Sequence, residues 1–265
     1  MSATDLDPFV DPPPPEVPLR AAPLVRVIAQ ARFPLVMAIE KRDFVAPFQE
    51  AVRAQYPVLR PDSTRGVTIG PDGPIAAPPQ STWRFSDVAG QWRLSLAPDF
   101  LALETTAYTS RDDFVARWRR VVVALSHHVG PQLIDRLGVR YVDRIHGAAL
   151  ADIMKLVRSE LSGIAGSRVA ARVLHAVSEA YFSVSEAQLL ARWGRLPGNV
   201  TIDPSAIEPM PEASWILDLD MFRARTAPFD VQRLVDETRS FAERIYAFFR
   251  WAVTTEFLER FGGEA

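Results

Sequence analysis

The sequence predicts an α+β fold in which antiparallel sheet meanders pack against long amphipathic helices, an order of elements that also allows two loosely similar halves. Three observations carry that expectation. Short, turn-bounded runs alternate apolar and polar residues at the period of two that half-buried strands require. Two long stretches repeat apolar residues every three to four positions, the spacing of one helix face. The order is strand, helix, meander, helix, strand, then a looser echo of the same series, which places helices on sheet rather than between parallel strands.

Residues 1–22 contain Asp11-Pro12-Pro13-Pro14-Pro15-Glu16-Val17-Pro18. Proline fixes φ and removes a donor, so this arm is expected to be polyproline II or disordered, either a simple leader or an arm that docks on a partner. Residues 23–33 follow as a strand, with Val25, Val27, Ala29, Ala31 and Phe33 opposite Arg26, Gln30 and Arg32. A helix is expected over 40–56 on Phe44, Phe48 and Val52, stopped by Pro57. Residues 57–81, with Gly70-Pro71-Asp72-Gly73-Pro74, show neither period and read as a long surface loop. A three-strand meander is built on Trp83 and Phe85, then Trp92, Leu94 and Leu96, then Phe100 to Leu103. Ser110 with Asp113 three residues on opens a helix whose apolar face is Phe114, Trp118, Val121, Val122, Leu125 and Val129. Gly130-Pro131 ends it, and residues 135–146 form the next strand.

That strand completes an N-terminal half over 23–147; a C-terminal half is expected over 148–265. In the second half the pattern gives a helix over 151–161, a strand-like run over 179–195, a short edge strand over 199–207 and a clear strand over 215–223. Residues 228–261 read as one helix with Phe241, Ile245, Phe248, Phe249, Val253, Phe257 and Phe261 on one side. At 1.5 Å per residue it would be about 45–50 Å long, and it could also pair with a second copy of the chain.

Composition narrows the chemistry. A net charge of −2 gives no global case for nucleic acid or an anionic membrane surface. There is no cysteine, hence no disulfide, thiolate nucleophile or cysteine zinc site. Residues 1–7 are polar and acidic rather than a basic segment followed by an apolar run, and no stretch is long and apolar enough to span a bilayer; a soluble, cytoplasmic protein is expected. Of the 30 basic residues only Lys41 and Lys155 are lysine. No phosphate loop, dinucleotide fingerprint, nucleophile elbow or zinc-hydrolase motif is present. His127 and His128 are adjacent near a helix end, His146 closes a strand and His175 is placed on a helix, so the four do not form a ligand set. No catalytic residue, metal or cofactor is assigned.

The candidate ligand-binding residues lie on strands. Strand geometry puts Arg136, Arg140 and Arg144 on one face, a ladder of forked donors suited to phosphate. Glu104, Asp218 and Asp220 are the carboxylates that could join them, either around a ligand or as ion-pair partners across the sheet; the ion-paired reading is favoured. The stretch Arg136-Leu137-Gly138-Val139-Arg140-Tyr141-Val142-Asp143-Arg144-Ile145 is the most distinctive in the chain. With Ala22-Pro23-Leu24-Val25, Tyr56-Pro57 and Phe257, it resembles a sporadically distributed family of bacterial and archaeal proteins of unknown function. Many members of that family have Asn where this chain has Asp143. The resemblance implies no activity or cofactor; the family's patchy occurrence points to an accessory gene of the defence or toxin–antitoxin kind. The function expected is a non-enzymatic binding or interaction module whose partner is another protein or a second copy. The alternative is a sensor or enzyme for a small phosphate-bearing ligand held on the arginine face.

Overall fold

The computed structural model of the protein describes residues 7–64, 67–70, 73–76 and 80–263. The elements in chain order are β1 (Leu24–Arg32), a 3-10 turn (Met37–Glu40), α1 (Arg42–Val52), β2 (Val58–Thr64), β3 (Val67–Gly70), β4 (Gly73–Ala76), β5 (Gln80–Ser86), β6 (Trp92–Ala97) and β7 (Phe100–Thr105). They continue with α2 (Arg111–His128), β8 (Leu133–Ile134), β9 (Arg136–His146) and the short helices α3 (Gly147–Ala151), α4 (Ile153–Leu156) and α5 (Ser159–Ser162). After two 3-10 turns come β10 (Ala176–Val184), β11 (Ala187–Leu196), β12 (Ser214–Arg223), β13 (Ala227–Pro228), α6 (Val231–Ala252) and α7 (Thr255–Arg260). Nine of these strands form one antiparallel sheet in the order β10-β11-β12-β9-β1-β7-β6-β5-β2, so the fold class is α+β.

By compactness the chain divides into two units that interleave in sequence. One takes residues 1–27, 139–222 and 239–265; the other takes 28–138 and 223–238. The expected boundary between halves near residue 147 falls inside the first of these.

The unit of residues 28–138 and 223–238 holds the predicted meander. β5, β6 and β7 pair consecutively, with Trp83 opposite Leu96 and Leu94 opposite Leu103. Phe48 of α1 meets Phe85 of β5, and Trp92 of β6 stacks on Phe114 of α2. The indole of Trp83 donates to the carbonyl of Ile39 at 2.7 Å, which satisfies the polar atom of an otherwise buried ring. α2 opens as its sequence requires: the Ser110 hydroxyl accepts from the backbone N–H of Asp113 at 3.1 Å.

The long loop expected over 57–81 is corrected. β2 pairs with β5, and β3 with β4 forms a small hairpin. Residues 65–66, 71–72 and 77–79 of that span lie outside the described residues. What holds β2 is a ladder to a strand some twenty residues away. Backbone pairing of that kind leaves no period in a Pro/Gly-rich sequence.

In the other unit the run 179–195 is a hairpin of β10 and β11 rather than one strand. Its turn is Ser185-Glu186, with Ser185 at φ +54°, and it lacks the Gly or Asn that usually advertises such a turn. Gly194 of β11 has φ +140°, and a Cβ there would lie 2.0 Å from the Ala176 carbonyl oxygen. Gly194→Ala is therefore expected to cost about 1–3 kcal/mol from the strained backbone. A lowered urea midpoint, with faster amide exchange at the start of β10, checks this.

Four further expectations change here. Residues 199–207 are a loop, not an edge strand, and Thr201 closes it with a hydrogen bond to the Ile207 carbonyl at 2.7 Å. The helix expected over 151–161 is three short pieces, and His175 lies between the second 3-10 turn and β10 rather than on a helix. The terminal helix stops at Ala252. The N–H of Thr254 bonds to the Leu156 carbonyl at 3.0 Å, and its hydroxyl bonds to the Lys155 carbonyl at 2.6 Å. The same hydroxyl accepts from Phe257 N–H at 3.2 Å and starts α7. The aromatic period runs on through this break, so sequence alone could not reveal it. Among the described residues no helix is long and apolar enough to cross a membrane.

The described part of the arm, residues 7–22, packs against α6 and β10. Phe9 packs on Phe182 of β10 and Phe248 of α6, and the Pro15 carbonyl is bound by Tyr246 and Arg250 of α6.

Candidate functional site

The arginine strand supplies the site, and antiparallel register decides what its side chains meet. Arg140 of β9 reaches Asp218 of β12, and Arg144, four residues further on, reaches Ser214, four residues further back. The guanidinium of Arg140 donates from Nε to Asp218 Oδ1 at 2.7 Å and from Nη2 to Oδ2 at 2.9 Å, a bidentate pair. Its Nη1 donates to Asp203 Oδ2 at 2.6 Å. From the other side of β12, Arg192 of β11 sits directly opposite Asp218 in register and places Nη2 at 2.7 Å from Oδ2. The result is a row Arg192–Asp218–Arg140–Asp203 across three strands and the 197–213 loop.

Asp218 is 1% exposed, and two guanidinium groups balance its buried charge. Burial works against the charge on Arg140, but the hydrogen bonds and charges of Asp218 and Asp203 outweigh it and hold its pKa above the usual arginine value. Burial likewise opposes ionisation of Asp203, but the Ser205 hydroxyl and Arg140 overcome this and hold its pKa at about 2. Arg144 is less well matched. Nε donates to Ser214 Oγ at 3.0 Å and Nη1 to the Glu208 carbonyl at 2.5 Å, while Nη2 is buried with no acceptor among the described residues. Burial lowers its pKa.

The loop that delivers Asp203 and Glu208 is built for close approach. Asn199 adopts φ +61° and its N–H bonds to the Met210 carbonyl at 2.6 Å. A Cβ on Gly198 would lie 2.1 Å from the Pro211 carbonyl oxygen, so only glycine fits. The loop thus folds back on itself and turns its carboxylate and carbonyl onto β9.

Of the six candidates, the structure brings together Arg140 and Asp218, with Arg144 beside them on the same strand. Arg136 folds its guanidinium over Gly138, where a Cβ would lie 2.5 Å from Nη1. Glu104 belongs to the other unit and is bound by Arg93, its register partner on β6. Asp220 stands opposite Leu190 and is half-buried.

Sequence reasoning missed Arg192, Asp203 and Ser214, whose roles depend on pairing between distant segments. It named Asp143 within the motif but left it out of the candidate residues; it lies on the opposite side of β9 from Arg140 and Arg144. Asp143 is 6% exposed, and burial alone pushes its pKa up to about 7. A carboxyl inside the distinctive motif on an otherwise apolar strand face was the signal available.

Among the described residues no group of three or more His, Asp or Glu side chains is placed to hold a metal ion. No known family model matches the chain, and no curated protein matches it.

Proposed function

We propose that the protein is a non-enzymatic binding module, of the kind an accessory defence or toxin-neutralising system employs, and that its arginine network is framework. The observation that carries this reading lies between β9 and β10. Within the short-helix segment Met154, Ile164, Val169 and Leu174 are 41%, 51%, 51% and 78% exposed. Single exposed apolar side chains are ordinary on a protein surface, but four within one short segment suit a partner-binding face. The segment leads directly into β10, an edge strand of the sheet whose Tyr181 is 62% exposed. The strongest donors of the arginine row are meanwhile engaged by Asp218, Asp203 and Ser214.

Ile164→Asp with Leu174→Asp tests the reading. Both positions are exposed, so each change is expected to alter stability by no more than about 0.5 kcal/mol. A protein partner, or a second copy of the chain, bound by the wild type is expected to lose at least about tenfold in affinity in the double variant, about 1.4 kcal/mol. Turnover of any nucleotide by the wild-type chain, abolished by Arg140→Lys, overturns it.

One observation favours the second reading, a phosphate-bearing ligand on the arginine face. Arg144 Nη2 and Arg192 Nε are buried donors without acceptors among the described residues. A phosphate ion that raises the melting temperature of the wild type, but not of Arg144→Met, would select it.

A further inference from the structure

The proline-rich arm and α6 make a contact with the chemistry of peptide recognition. Polyproline II leaves its backbone carbonyls free of internal bonds, and grooves that bind it combine aromatic side chains with donors aimed at those carbonyls. α6 supplies both. Arg244 Nη1 donates to the carbonyls of Asp11 at 2.6 Å and Pro8 at 3.4 Å. Tyr246 Oη donates to the Pro15 carbonyl at 3.2 Å and accepts from Val17 N–H at 2.7 Å. Arg250 Nη1 reaches the same Pro15 carbonyl at 3.2 Å and also bonds to Tyr246 Oη at 3.3 Å. One apolar anchor completes the contact: the Phe9 ring lies 5.0 Å from that of Phe182 and 5.8 Å from that of Phe248.

Two features separate this contact from ordinary core packing. α6 holds the arm through its backbone carbonyls and one N–H, which any proline-rich extended segment presents. No residue from 7 to 22 is buried, whereas Phe248 beneath the arm is 1% exposed. The surface is well formed and its occupant lies on it rather than within the core.

We propose that the Arg244–Tyr246–Arg250 surface of α6 is a docking site for a proline-rich, extended segment of a partner protein, one with an aromatic anchor ahead of its prolines. Residues 7–21 are its intramolecular competitor. The proposal rests on the reading of the chain as a binding module and names the class of partner for one of its surfaces. A tethered arm acts at a high effective concentration, in the millimolar range for short flexible links. A free segment therefore binds weakly until the arm is loosened.

The test is fluorescence anisotropy of a labelled peptide with the sequence of residues 7–21, titrated with full-length protein. Phe9→Asp loosens the arm by removing its anchor. Pro13→Gly with Pro14→Gly loosens it without touching that anchor. Both variants are expected to bind the peptide at least about tenfold tighter than the wild type. Adding Tyr246→Phe and Arg250→Ala to either is expected to remove the gain. A peptide with Pro12 to Pro15 replaced by glycine and serine is expected to bind at least about tenfold more weakly.

Equal binding by the wild type and both loosened variants, each with wild-type circular dichroism, overturns the proposal, as does binding indifferent to Tyr246 and Arg250. A wild-type dimer that the peptide dissolves would assign the surface to the arm of a second copy and overturn the separate partner. Failure of the peptide leaves the binding-module reading to its own test, because Ile164 and Leu174 lie outside this contact. Nucleotide turnover would remove that reading without altering the anisotropy result.

Discussion

Asp143→Asn is expected to stabilise the protein strongly at pH 8 and hardly at all at pH 4. The carboxyl is 6% exposed and its pKa is raised to about 7 by burial, against about 4 in an unfolded chain. Between those two values the folded state holds a proton that the unfolded state has released, so the stability contributed by this group falls as pH rises. The slope is about 1.4 kcal/mol per pH unit, and the loss is complete above about pH 7. The full interval sets a ceiling of about 4 kcal/mol, which relaxation around the charge would reduce. Asparagine keeps the shape and does not ionise. Urea unfolding of both proteins at pH 4, 6 and 8 should give a stability difference that widens with pH. A difference that stays flat would mean that Asp143 is solvated or paired.

Asp218→Ala is expected to be among the most damaging single changes, costing about 3–5 kcal/mol and lowering the urea midpoint accordingly. It removes a carboxylate that binds both Arg140, at 2.7 Å and 2.9 Å, and Arg192, at 2.7 Å. Two largely buried guanidinium groups would be left with Asp203 as the nearest anion to one of them. Because the network is shielded from solvent, the loss should persist at high salt, unlike that of a surface ion pair. Replacing the pair together, as Arg140→Met with Asp218→Leu, should recover much of it. An Asp218→Ala protein as stable as the wild type would show that this row is not framework and would return it to candidacy as a ligand site.

Much of the fold was legible because its local signals are strong. Ser110 and Asp113 marked the start of α2, alternation gave β5 to β7, and Arg140 and Arg144 do share a face of β9. The missing parts are those fixed by distant partners. β2 exists because β5 lies beside it, α6 ends because Thr254 bonds to the chain at Lys155 and Leu156, and Asp203 reaches Arg140 only when the 197–213 loop folds back. The candidate site followed the same division. Its strand positions could be read from parity, but whether Arg140 faced a ligand or a carboxylate depended on β12. Glu104 was a plausible partner by charge and is instead taken by Arg93 one strand away.

The interleaving of the two compact units bears on how the chain reaches its native state. One unit draws on residues 1–27, 139–222 and 239–265, and the other on 28–138 and 223–238. On a ribosome, which delivers residues in order, the 28–138 portion emerges early but lacks its last segment until residue 238 has been made. The remaining unit waits longer still. The two units are therefore synthesised in overlapping pieces and neither can be finished before the other is nearly complete. Closure depends on contacts far apart in sequence, which favours slow, concerted maturation over folding one unit at a time.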